Sequence, residues 1–340
     1  MARKRRDEEE SLPEIPPRPV TLAGFAGHAR QVALLGRALS RSVLNPSLLF
    51  SGPPSVGKAA LAWRLAAALQ CVAPAPWACG ACPSCRKAVR GSHPDIRTVT
   101  LETNADTGKL RKEILVDQVR ERVVAPLALP PYEGRRLVFL VEPAEALRTE
   151  AQNALLKSLE EPPAYGQFIL LTSNPAGLLP TVRSRCQHVT FGPVPPGEMR
   201  RAAEAAGLRG EEAESALACA AGAPGLLFSG AWREALSRRE TLAALLEHGL
   251  AASRYADLAP RVEALAQEPP AAVLAESLRV VAEAQRFLAG GAAAEPLARA
   301  ARARGQEGLR RVADRLSEAP AHLVRNVNPR LLFERAFLVP

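Results

Sequence analysis

The chain has 340 residues, 47% of them hydrophobic, and a formal net charge of +9. That length supports two or three domains, each with its own core, and no apolar run approaches the roughly 18 residues that cross a bilayer as a helix. A membrane protein is therefore not expected. The positive balance suits a nucleic-acid surface, but it equally follows from a GC-rich genome, since 38 of the 44 basic residues are Arg and alanine is abundant.

From the N-terminus, MARKRRDEEESLPEIPPRP sets a basic cluster, an acidic cluster and prolines in series. It lacks the apolar stretch of a signal peptide, so residues 1–20 are read as a disordered arm on a cytoplasmic protein. The next stretch alternates helical patterns with short apolar runs. Strands are expected at 47–51, 96–100, 137–141, 167–172 and 188–191, and helices at about 28–44, 58–70, 116–125 and 149–160. Runs that are apolar throughout are what strands covered on both faces require, which points to a parallel sheet flanked by helices. After the Pro/Gly break at 191–198 only helical patterns remain, cut by QEPP at 267–270 and AGGAAAEP at 289–296. The fold class is α/β followed by all-α.

Between the first strand and the second helix the chain reads SGPPSVGKAA. Strand, glycine-rich turn and helix are the setting of a phosphate loop, whose backbone N–H groups and helix N-terminus can face an anion and whose Lys58 adds a point charge; a turn that only needs glycine is the other reading. The candidate nucleotide site is Gly52, Pro53, Pro54, Ser55, Val56, Gly57, Lys58 and Ala59. Ala59 stands where Ser or Thr would hold magnesium. Hydrolysis further needs an acidic strand end, with Asp for the metal and in many such ATPases a Glu that activates water. The matching strand here ends LVFLVEPAEAL, with Glu142 and Pro143 at those positions. Proline has no proton acceptor in its side chain, so ATP or ADP binding is possible and turnover is not expected.

Of the six cysteines, Cys71, Cys79, Cys82 and Cys85 fall within fifteen residues. Four thiolates on C-x-x-C turns match a structural Zn2+ site with no open coordination position. Buried cysteines or a redox pair are the other readings of the same spacing. Ser173 and Asn174, polar residues closing a strand beside the loop, suit a sensor of a γ-phosphate. Arg185, within RSRC at 183–186, lies on a segment expected at the module's edge. A guanidinium there can reach a neighbour's phosphate as an arginine finger, or it can form a surface salt bridge. His93 in SHPD and Trp63, Trp77 and Trp232 read as structural.

Taken together, GPPSVGK, the four-cysteine insertion, HPDI (93–96), VDQVRERV (116–123), AQNALLKSLEEPP (151–163), RSRC and NVNPRLLFERAFL (326–338) occur in this order. In these motifs the sequence resembles the delta-prime subunits of bacterial DNA polymerase III clamp loaders, an AAA+ family. The resemblance implies an AAA+ P-loop module with a five-stranded parallel sheet at 21–193 carrying the zinc insertion 71–85. It further implies a small helical lid at 194–238 and a C-terminal helical collar at 239–340 that oligomerises. It implies an ATPase-deficient stator of a polymerase holoenzyme, partnered by gamma/tau and delta subunits, the sliding clamp and primed DNA, with Arg185 acting in trans. Leu226 stands where a motor subunit would place a nucleotide-sensing arginine. The helix VDQVRERV is similar to the element that faces DNA in relatives, which makes Arg120 a candidate phosphate contact; a solvated helix face explains it as well. His28 sits where the family's base pocket begins and reads equally as a packing residue. The alternatives are a gamma/tau-type motor, which would need a threonine after Lys58 and an acidic pair after the third strand, a P-loop kinase, and an interaction protein unconnected with ATP.

Overall fold

The computed structural model describes residues 18–73, 76–104, 108–248, 255–268, 270–324 and 327–338. The charged arm therefore lies outside the described residues up to position 17. Of its last three residues two are packed: the Arg18 N–H donates to the Val89 carbonyl at 2.8 Å, the Arg18 guanidinium lies 4.1 Å over the Trp63 ring, and Val20 is buried.

The strands are β1 (Ser47–Ser51), β2 (Ile96–Val99), β3 (Leu137–Val141), β4 (Gly166–Thr172) and β5 (Gln187–Thr190). The helices of the first two-thirds are α1 (Ala29–Ser40), α2 (Lys58–Gln70), α3 (Pro83–Val89), α4 (Val116–Val119), α5 (Ala125–Leu127), α6 (Thr149–Glu160), α7 (Pro180–Ser184), α8 (Pro196–Ala205), α9 (Gly210–Ala220) and α10 (Pro224–Ser229). There follow α11 (Trp232–His248), α12 (Tyr255–Gln267), α13 (Pro270–Leu288), α14 (Glu295–Val324) and α15 (Pro329–Leu338). The chain divides into two compact units, residues up to 209 with 220–228, and 210–219 with 229–340.

In the first unit all five strands are parallel, in the order β2-β3-β4-β1-β5. The alternation of a strand explains why its centre is apolar throughout. Leu48 and Phe50 face one core with Leu61, Leu65 and Ile169, while Leu49 faces the other with Phe139, Phe168 and Leu155. Every residue of β1, β3 and β4 is buried, as strands sheathed by helices on both sides must be. The edge strand β5 buries Val189 alone.

The expected strands and helices stand, with differences at the ends. The first helix stops at Ser40 rather than 44, because Ser42 takes a left-handed φ of 54° and the Val43 N–H turns back to the Ala38 carbonyl. The third expected helix is interrupted by a π-helical segment, Arg120–Val124.

HPDI acts as a fastening. The Asp95 carboxylate accepts N–H bonds from Tyr132, Glu133 and Gly134 at 2.6, 2.9 and 2.7 Å, which fixes the loop entering β3. The His93 Nδ1 accepts the Asp95 N–H at 3.2 Å.

In the second unit, Leu242, Leu245, Val273, Val281, Leu309, Val312 and Phe333 form one core. Arg239 on α11 spans Glu276 and Glu283 on α13, and Glu276 is also held by Arg279 at 2.7 Å. A carboxylate as buried as Glu276 is tolerated only when paired in this way. Within α14 the path breaks at Gly305, whose φ of 65° and ψ of 174° no helix contains. No helix among the described residues is long and apolar enough to cross a membrane.

Three charge-assisted bonds to one buried carboxylate make Asp95 costly to delete. Asp95→Ala should lose about 3 kcal/mol of stability, read as a lower urea midpoint at unchanged slope.

Candidate functional site

The phosphate loop is built by close approach. A Cβ on Gly52, at φ 149°, would stand 2.2 Å from the Phe191 carbonyl oxygen, so β1 and the chain leaving β5 converge there only because the residue is glycine. Gly57, at φ 116°, caps α2, and the first N–H groups of that helix have no partner within it. They and the loop amides are the anion-facing donors. The Lys58 ammonium is 6% exposed and donates to the carbonyls of Gly52 and Pro53, both at 2.7 Å. Burial lowers its pKa, against the opposing charges of Glu142 and Glu145.

Two segments clasp the loop. The His28 Nε2 lies 2.8 Å from the Val56 carbonyl, and the same ring packs edge-on against Phe191 at 4.8 Å. His28 is thus a packing residue. From the other side, the Gly225 N–H donates to the Ser55 carbonyl at 2.9 Å, and a side chain at 225 would collide with that oxygen. Leu226, beside it, packs against the core that contains Val56.

Ala59 and Glu142 line one cleft of about 380 Å³ with Arg18, Trp63 and Arg64. Burial raises the Glu142 carboxyl above its ordinary value, and Lys58 pulls the other way. The adjacent acid is Glu145, which the sequence did not single out. Its Oε1 accepts the Ser173 hydroxyl at 2.5 Å and the Ser173 N–H at 3.0 Å. Burial opposes its charge, yet these bonds outweigh burial and hold Glu145 below the usual carboxylate range. The expected sensor hydroxyl is thus already bound to a carboxylate. Twenty-eight residues separate that pair, and no spacing rule would have joined them.

The four expected cysteines do converge. One Sγ from each of Cys71, Cys79, Cys82 and Cys85 lies within 4.8 Å of the others, and the Cys79 and Cys85 sulfurs are 3.9 Å apart. Ligands about 2.3 Å from zinc stand about 3.8 Å apart at tetrahedral corners, so the cluster fits that ion. The turns also supply donors: the N–H groups of Cys79, Cys82 and Cys85 point to the sulfurs of Cys71, Cys79 and Cys82, each at 3.4 Å. Bonds from the Ala81 and Cys82 amides bring the Cys79 pKa down to about 6. Burial opposes ionisation of Cys82, but the amides of Val72 and Cys85 outweigh it. Burial pushes Cys85 up. The last two ligands are carried by α3, which the sequence reading missed: Cys82 caps it, Pro83 takes its first position and Cys85 lies in its first turn.

Arg185 closes α7 at the surface, its side chain 32% exposed, and pairs with Glu160 at the end of α6. Its Nη1 donates to the Thr181 carbonyl at 2.9 Å. Cys186 turns inward, and burial pushes its thiol up to about 12. Arg120, on the π-helical segment, is exposed and 3.3 Å from Asp117. Trp63 donates to the Ala88 carbonyl at 3.2 Å. Trp77 is half-buried against the first core, and Trp232 is buried.

A parallel sheet in this order, with the phosphate loop after β1 and the acidic strand end after β3, defines a P-loop module of the AAA+ class. Residues 27–195 match the family model described as DNA polymerase III, delta subunit. Over 157 residues the chain is 41% identical to DNA polymerase III subunit delta' of Pseudomonas aeruginosa, covering 46% of each chain. Over 185 residues it is 38% identical to the gamma/tau subunit of Mycobacterium bovis, covering 54% of this chain and 30% of that one. The chain thus spans about half the length, or less, of these curated relatives. A gamma subunit-related protein of Thermotoga maritima superposes with a TM-score of 0.49 at 16% identity, over 90% of this chain and 97% of that one. Over the α/β domain the chain is thus similar to delta' and gamma/tau subunits of DNA polymerase III.

The thiols should differ in reactivity once a chelator has removed any metal. With a pKa of about 6, Cys79 is mostly thiolate at pH 7, and iodoacetamide should label it first. Its labelling should fall off only below about pH 6, whereas an ordinary thiol fades below about 8.5. Cys186 should stay unlabelled until the protein unfolds, as peptide mapping would read.

Proposed function

We propose that this chain is the delta-prime subunit of a DNA polymerase III clamp loader, a stationary member that hydrolyses no ATP and lends Arg185 to nucleotide held by a neighbouring motor subunit. The observation that carries the reading is a phosphate loop complete as a fold but stripped of its chemistry. Ala59 offers no ligand to magnesium, Pro143 cannot orient water, and the Ser173 hydroxyl is bound to Glu145. Arg185, by contrast, keeps a charged head at the surface.

The chain's own residues divide the work as follows. The amides of Gly52–Ala59 retain the donors for the phosphates of ATP or ADP, and Lys58 must leave the Gly52 and Pro53 carbonyls to reach them. With proline at 143 the position of the water-activating Glu holds no proton acceptor, so on this reading nucleotide is held without turnover. Arg185 places its N–H groups and charge where a neighbour's γ-phosphate develops negative charge in transfer. Cys71, Cys79, Cys82 and Cys85 would hold Zn2+, which supplies structural cross-linking of the insertion and no catalysis. Arg120 is a candidate contact to the backbone of primed DNA, where binding must be indifferent to sequence. The partners on this reading are gamma/tau and delta subunits and the sliding clamp, in the cytoplasm.

A gamma/tau-type motor is the second reading, favoured by the 38% identity to such a subunit. Ala59 and Pro143 argue against it, because a motor needs both functions they lack.

The reading is tested on a ring reconstituted with clamp and primed DNA. The isolated chain should show no ATP turnover. Arg185→Ala in this subunit should abolish the share of turnover that its neighbour contributes, with that site slowed by roughly 10³-fold or more. Turnover by the isolated chain, or an unchanged rate with Arg185→Ala, would return the motor reading. For the metal, one zinc per chain is expected by elemental analysis, and Cys82→Ser should lose it; a fully reduced native protein without metal would remove zinc from the account.

A further inference from the structure

We infer that Glu160 is a positioning residue for Arg185, an inference that rests on the reading of Arg185 as an arginine finger. The first observation is a local rule broken. Glu160 is the last residue of α6 and Glu161 is its cap, so two carboxylates stand at the negative end of a helix, where cations are favoured. A residue at odds with its local electrostatics is compensated elsewhere or serves a function. Here the compensation is visible: the Glu160 carboxylate accepts from Nη2 of Arg185.

The second observation is how the guanidinium is held. The Nη1 donates to the Thr181 carbonyl within its own helix, Nη2 is held by Glu160, and Nε is buried without a hydrogen-bond partner. The Arg185 side chain is thus pinned on two elements at once, and about a third of its surface remains outward. Both elements are anchored in the same core. Leu155 and Leu159 root α6 in the core, and Val182 and Cys186 root the segment that carries Arg185.

A free arginine would spread its head over many rotamers. A finger acts only where its N–H groups meet the transferring phosphoryl group, and an ångström of misplacement can cost roughly 10²-fold. Glu160 removes that freedom before the neighbour arrives. The N–H groups not spent on Thr181 and Glu160 can then meet the phosphate while the two anchors stay in place.

The test compares five proteins in the reconstituted ring: wild type, Glu160→Ala, Glu160→Gln, Arg185→Ala and the double variant with Glu160→Ala on the Arg185→Ala background. Thermal melting of the isolated subunits controls for folding. Glu160→Ala should lower kcat by about tenfold with KM for ATP unchanged. Glu160→Gln keeps an oxygen that accepts the same N–H, and should remain within about twofold of wild type. On the Arg185→Ala background Glu160→Ala should cost nothing further, since it acts only through that side chain. A kcat for Glu160→Ala equal to or above wild type, or an equal loss on both backgrounds, overturns the inference and leaves Arg185 as the finger. An unchanged rate with Arg185→Ala overturns the finger itself, and the inference falls with it.

Discussion

The burial of β1, β3 and β4 on both faces is the constraint on which the rest of the first unit depends. A sheet sheathed by helices leaves its strand ends as the only places where polar groups can be presented without disrupting a core. The C-terminal ends of β1, β3 and β4 lie side by side, because the strand order sets β4 between β1 and β3. Phosphate loop, Glu142 and Ser173 therefore reach one locality though they are scattered over 120 residues of sequence. The locality is a product of apolar packing. It survives the loss of any catalytic side chain placed on it.

That independence explains how a phosphate loop can be retained in full with its magnesium hydroxyl gone. Gly52 is required by the Phe191 carbonyl and Gly225 by the Ser55 carbonyl, both independently of nucleotide. Lys58, buried, satisfies itself on two loop carbonyls. A buried ammonium without such partners would cost several kcal/mol, so this lysine has a structural duty alongside any ligand. Loop, lysine and glycines are held by the fold, whereas the hydroxyl at 59 and the base at 143 serve chemistry alone. The latter two are the ones missing.

Most of the architecture was legible, because it follows from patterns with a single physical meaning. An unbroken apolar run such as LVFLV can only be a strand covered twice or a short buried helix, and its length decides between them. The cysteine centre was equally legible from C-x-x-C spacing. What escaped were relations between side chains far apart in the chain. Glu145 bonding Ser173 and Glu160 pairing Arg185 arise from how α6 and the ends of β3 and β4 pack, which no local pattern encodes. The break at Gly305 escaped for the opposite reason: a glycine inside an Ala/Arg-rich helical tract is usually tolerated, and here its φ of 65° interrupts the helix.

The two arrangements also differ in what they demand of a partner. A site at the strand ends is enclosed by its own chain, with His28 on one side and Gly225 on the other. Arg185 stands on a surface segment, where its charge is balanced by Glu160 yet still open to solvent. A cation so placed contributes little to the stability of its own fold, since exposed ion pairs are worth about 0–1 kcal/mol. Its value lies in what can be brought against it. On the proposed reading, a fold whose inner site lacks these groups and whose guanidinium is pinned outside holds its useful charge where only another molecule can use it.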